Sequence, residues 1–158
     1  MPPMAEIPIW QRLLALLAYL LPWSEGVPFG VSLYGIFPAL QWLTLPVIPV
    51  LMLQRLVPFG SFLLFLVLFL AVVRNPKVPY FIRFNVLQAI LLDIVLVLLS
   101  LAFRVLLSPL AGGFALRTLS NTVYLGTLVL VLFAVVQCVR GKEADIPTVS
   151  EAVRMQLY

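Results

Sequence analysis

The chain has 158 residues, of which 63% are hydrophobic and only 10% charged. A water-soluble domain is roughly half apolar and about a quarter charged, so this composition excludes that class and points to one all-α integral membrane domain. The net charge of +4 comes from bases scattered between apolar runs, which argues against nucleic acid as a partner. Histidine is absent and Cys138 stands alone, which leaves no internal disulfide and no zinc cluster.

The opening MPPMAEIPIWQR holds one acid and one base, and the run Leu13 to Leu21 ends in PWSEG. No small-x-small site follows the run, so it does not read as a cleaved signal peptide, nor as an Arg- and Ser-rich transit segment. The first apolar segment covers about residues 9–22. It is short against the roughly 20 residues a hydrocarbon core needs, and it crosses only with tilt, local thinning or snorkelling ends.

Residues 27–55 are apolar but broken by Pro28, Gly30, Gly35, Pro38, Pro46 and Pro49. Prolines remove backbone donors and kink a helix, which predicts one or two short interfacial helices anchored by Tyr34 and Trp42. Further spans are predicted at about 57–73, 78–103 and 119–139. The polar tail 143–158 is expected to form a short helix from Pro147. The tetrapeptide Val27-Pro28-Phe29-Gly30 recurs as Val57-Pro58-Phe59-Gly60, with an echo at Val78 to Phe81. Proline suits the first turn of a helix, so the repeat does not require a duplicated fold.

With four spans, both termini share a side with Arg12, Arg74, Lys77, Arg83, Arg140, Lys142 and Arg154. Arg55, Arg104 and Arg117 fall on the other side. The excess of bases predicts that both termini face the cytoplasm or its organellar equivalent. Arg74, Lys77 and Arg83 make a basic rim suited to anionic lipid, with the Arg83 stem able to snorkel to headgroups.

The third span carries most of the polar residues. At 100° per residue, Asn85, Ala89 and Asp93 lie on one stripe. Ser100 and Arg104 stay close to it, and Gln88 flanks it. An acid at a helix centre costs about 2.5 to 3.5 kcal/mol on insertion. Protonation, a basic or amide partner, or access to water would offset that. Asn121, Thr122, Tyr124 and Thr127 on the fourth span are candidate partners. Two readings compete: a polar pathway, or hydrogen-bonding glue between helices.

There is no glycine-rich phosphate loop and no nucleophile elbow. Gly112-Gly113 is explained by a turn. Asp93 is the only acid inside a predicted span, so no carboxylate pair at membrane depth suggests acid–base chemistry. No enzyme and no cofactor are predicted. A small-solute transporter lacks support, because no matching pair of broken helices appears.

The segment RNPKVPYFIRFNVLQAILLDI, Arg74 to Ile94, resembles the family of the twenty-kilodalton subunit of the translocon at the inner envelope of chloroplasts (the Tic complex), with its cyanobacterial and plastid-encoded relatives. LLALLAYLLPWSEGVPFG and the FPAL at Phe37 to Leu40 extend the resemblance. It implies a four-helix protein of a cyanobacterial membrane or plastid inner envelope, with both termini cytoplasmic or stromal. It also implies a role in a protein-translocation complex as a probable channel-forming component. The implied partners are the lipid bilayer, other translocon subunits, further copies of the chain and, for a channel, the translocating polypeptide. The alternative is a structural or assembly subunit with no conduction of its own. Four helices cannot enclose a pore wide enough for a polypeptide, so a channel would need several copies or partner subunits.

Overall fold

The structure, a computed structural model, describes residues 7–107, 113–146 and 149–157. These are helical with no strand among them, and four helices are long and apolar enough to cross a membrane.

The first apolar segment runs much further than residue 22. Helices α1 (Ile9–Ala18) and α2 (Leu20–Gly26), a 3-10 turn (Val27–Gly30) and α3 (Val31–Ile36) form one jointed rod of 28 residues. Its prolines do not break it because each stands in the first turn of a new segment, where a missing N–H costs little. Pro22 follows the joint at Tyr19, and Pro28 opens the 3-10 turn. Two glycines in this rod serve close approach. A Cβ on Gly26 would meet the Thr127 side chain at 2.7 Å, and one on Gly30 would meet the Tyr124 ring at 2.5 Å.

The proline-rich segment is also helical. A 3-10 run over Pro38–Val47 leads into α4 (Ile48–Leu56), and Pro38–Leu56 is long enough to span. It is largely exposed, with Trp42 and Met52 mostly uncovered. Tyr34 instead turns inward, its ring edge-on to Tyr124 at 5.7 Å. Helix α5 (Gly60–Leu68) and its π-helical end Phe69–Val73 reach about 21 Å at 1.5 Å per residue, short of a core about 30 Å thick. The VPFG repeat takes two conformations. Its first copy is a 3-10 turn, whereas the second places Phe59 at φ 59, in the left-handed region.

Two long helices complete the bundle. They are α6 (Tyr80–Ala102), with a π-helical end Phe103–Leu107, and α7 (Phe114–Val139). Buried Ala15, Ala89 and Ala134 let α1, α6 and α7 approach closely, as small residues do in membrane interfaces. The tail is not free. Ala144, Ile146 and Val153 are buried, and α8 (Val149–Leu157) packs on α6. The tail helix predicted from Pro147 is thus described from Val149. Pro147 itself and the loop residues 108–112, Gly112 included, lie outside the described residues.

One end of the bundle gathers the start of α1, the end of α5, the start of α6, the end of α7 and the tail. Arg12 Nη1 donates to the Val139 carbonyl at 3.2 Å, Arg83 Nε donates to Val73 at 2.9 Å, and Val153 shares a core with Val73 and Phe84. At the other end, Phe29 meets Phe103 edge-on at 5.2 Å.

Candidate functional site

The polar stripe of α6 does not face one space. The structure divides it into three environments.

Asn85 and Gln88 are completely buried at the tail end of the bundle, together with Tyr19, Cys138 and Ser150. The Tyr19 hydroxyl donates to Asn85 Oδ1 at 2.7 Å and accepts from Gln88 Nε2 at 3.0 Å. The Cys138 thiol donates to the same Asn85 oxygen at 3.3 Å, and Asn85 Nδ2 donates to the Phe81 carbonyl at 2.8 Å. Gln88 Nε2 also donates to the Ala144 carbonyl at 2.9 Å, and Gln88 Oε1 accepts from Ser150 Oγ at 2.5 Å. Ser150 Oγ in turn accepts from the Ile146 amide at 2.8 Å. The network joins α1, α6, α7 and the tail, and each amide side chain is bonded at both ends. In a low-dielectric interior such satisfaction is what makes buried polar groups tolerable.

Asp93 lies in the second environment. It is 7% exposed, and its Oδ1 is buried with no hydrogen-bond partner. It lines a groove of about 310 Å³ with Phe62 and Phe65 of α5 and with Ile94, Val97 and Leu98. None of the four fourth-span residues considered as partners is bonded to it. Thr122 and Thr127 turn back to carbonyls of their own helix, at Thr118 and Val123.

Glu25, on α2, interacts electrostatically with Asp93 and also with Arg104. Glu25 was missed in the sequence because the first segment was ended at residue 22. The unbroken run through Trp23, Ser24 and Glu25 brings a second carboxylate into the bundle. A longer window across Pro22 would have found it.

Ser100 and Arg104 belong to a third environment, at the end away from the tail. They line a cleft of about 300 Å³ with Pro28, Phe29, Phe103, Leu116 and Ser120. Arg104 Nη2 lies 3.5 Å from Ser100 Oγ, and the π-helical turn that follows α6 carries Arg104 there.

The basic rim residues sit together at the tail end. Arg83 is drawn inward to cap the Val73 carbonyl. The Arg74 guanidinium lies 5.4 Å from the Phe69 ring centroid, and the Lys77 amide donates to Asn75 Oδ1 at 3.0 Å in the tight turn. Arg154 bonds Glu143 at 2.9 Å and Asp145 at 3.4 Å, which offsets part of the tail's negative charge. The hydrogen bond from Arg154 to Glu143 raises its already high pKa further.

Comparison with known proteins adds the family. The profile described as "Chloroplast import apparatus Tic20-like" matches residues 1–153. A "Tic20 family protein" of Synechocystis sp. is 42% identical over 147 residues, covering 92% of this chain and 92% of that protein. "Protein TIC 20-II, chloroplastic" of Arabidopsis thaliana is 33% identical over 153 residues, 95% of this chain and 74% of that one. "Tic20 family protein Ycf60" of Gracilaria tenuistipitata var. liui is 34% identical over 161 residues, 96% and 78% of the two chains.

Proposed function

This chain belongs to the Tic20-like family, and from that we propose that it works as a non-enzymatic membrane subunit of a protein-translocation complex, contributing to a polypeptide channel with other subunits or copies. The family match over nearly the whole chain carries this reading. Asp93 supports it, because a buried carboxyl oxygen without a partner is costly in a bilayer and suits a face that meets a pathway or another chain.

The gathered end supports a topology with both termini on one side. The jointed rod Ile9–Ile36 crosses once and residues 38–73 return the chain. Helix α6 crosses again, and α7 brings the tail back beside Arg12. Both termini then share the end that carries Arg12, Arg74, Lys77, Arg83, Arg140, Lys142 and Arg154. The positive-inside rule makes that end cytoplasmic or stromal, in a cyanobacterial membrane or plastid inner envelope. The basic rim there meets anionic headgroups.

The test is polypeptide flux and conductance in reconstituted bilayers. Asp93→Leu is expected to change both. Unchanged flux in a normally assembled complex would remove Asp93 from the pathway.

A second reading, a scaffold subunit with no conduction of its own, is favoured by one observation. Asn85 and Gln88, on the most polar part of α6, are bonded inside the chain. Depletion of the protein separates the two readings. A stable complex on pull-down, with no transport defect on depletion, supports the scaffold.

A further inference from the structure

The groove beside Asp93 has a chemistry that its own chain does not complete. It is walled by Phe62, Phe65, Ile94, Val97 and Leu98, none of which can hydrogen-bond a carboxylate. Its rim is open, with Phe62 59% and Leu98 59% exposed. Arg104 acts on Glu25 and not on Asp93, whose neighbour Glu25 is another acid. The groove therefore presents an unpartnered carboxyl oxygen on an apolar face.

The chain's own bases stand at the wrong depths to neutralise it. Arg83 precedes Asp93 by roughly 15 Å along α6, and Arg104 follows it by roughly 16 Å. Helix α5 runs antiparallel to α6, with Val73 at Arg83 and Phe62 at Val97 and Leu98. The turn before Gly60, with Arg55, thus lies beyond Leu98 and nearer Arg104. The remaining bases lie at the tail end or, for Arg117, in the first turn of α7. A second copy inserted with the same orientation would repeat these depths and bring no base to Asp93.

We propose that the groove between α5 and α6 receives a transmembrane helix of a different subunit, which places a basic side chain against Asp93. The aromatic walls suit the stem of a lysine or arginine, and charge complementarity fixes depth and register. A single intramembrane polar pair can set both. This inference rests on the reading of the chain as a subunit of a membrane complex.

The experiment uses the full chain, affinity-tagged, in membranes of a cyanobacterial host, with a photo-crosslinking residue at Leu98. Crosslinked peptides are sequenced by mass spectrometry. The expected product is an apolar stretch of at least about 18 residues from another protein, with Lys, Arg or His near its middle. Asp93→Asn should lower the yield at least tenfold, and Asp93→Glu should restore most of it. Val97→Trp, which fills the groove and leaves residue 93 an aspartate, should also abolish the product and decides the matter where Asp93→Asn fails to fold. Crosslinks to lipid, to a second copy, or to a span without a base overturn the proposal. So does a yield indifferent to Asp93→Asn. Should the wild-type chain purify alone in mild detergent, the complex-subunit reading falls with it. Should it purify in a complex whose Leu98 crosslinks reach only lipid, this inference alone falls.

Discussion

Replacing Gln88 by methionine keeps most of the side-chain volume and removes every polar atom. The wild-type amide makes two bonds across the boundary between α6 and the tail, to the Ala144 carbonyl and from Ser150 Oγ. Each buried bond contributes about 1 kcal/mol net, so tail docking should weaken by about 2 kcal/mol. Ser150 Oγ lies 2.9 Å from the Ala144 carbonyl and can turn its proton there. That repair stays within the tail and does not restore docking. Helix α8 has nine residues, too few to persist in water without packing, so undocking and unfolding are one event for it. Amide hydrogen exchange of residues 149–157 in nanodiscs reads this directly. A loss of 2 kcal/mol corresponds to exchange about thirtyfold faster, with the α6 and α7 amides little changed. Protection of α8 that falls less than about threefold would refute the claim that the network holds the tail.

The ion pairs of Arg154 are partly exposed and lie within the tail, so Arg154→Met should cost the folded tail less than about 1 kcal/mol, an effect that shrinks with added salt. Because the partner raises the Arg154 pKa, the stability it contributes is fully present below the unfolded value and is lost only above it. Titration of Arg154 should therefore leave α8 exchange protection unchanged between pH 7 and about 10, after correction for intrinsic exchange. Gly30→Ala should lower the melting temperature in detergent through a clash with the Tyr124 ring, at a cost of about 1 to 3 kcal/mol. Tyr124→Leu in the same chain should recover part of it. Gly26→Ala should also lower the melting temperature, since turning the Thr127 methyl away gives up the bond to the Val123 carbonyl.

The all-α membrane class and the long helices α6 and α7 were legible because sustained apolarity is what a bilayer selects. Pro22 misled the reading of the first segment. Proline in a helix interior breaks the ladder, but Pro22 follows a joint at Tyr19 where a new turn begins, and no local signal marks that joint. Glu25 was hidden for the same reason. The tail was legible as polar but not as docked. Ser150 and Ala144 acquire their role only from Gln88, more than fifty residues away in the chain. Helical spacing did group Asn85, Asp93 and Ser100 on one face. It could not show that different neighbours would meet that face at each level, because spacing carries no information about which helix lies opposite.

That division along α6 bears on how such a chain could serve translocation. At the tail end the stripe is closed by the chain itself, since Tyr19, Cys138 and the tail occupy the bonding capacity of Asn85 and Gln88. A polar path running straight down this face would have to break that network, at about 1 to 3 kcal/mol for each buried group left without a partner. Asp93 carries no such obstacle, and Ser100 and Arg104 already face an open cleft. Along α6, the polar groups left open to other chains are therefore those of its middle and far end. Its tail end acts as the clamp that fixes α1, α6 and α7 in place.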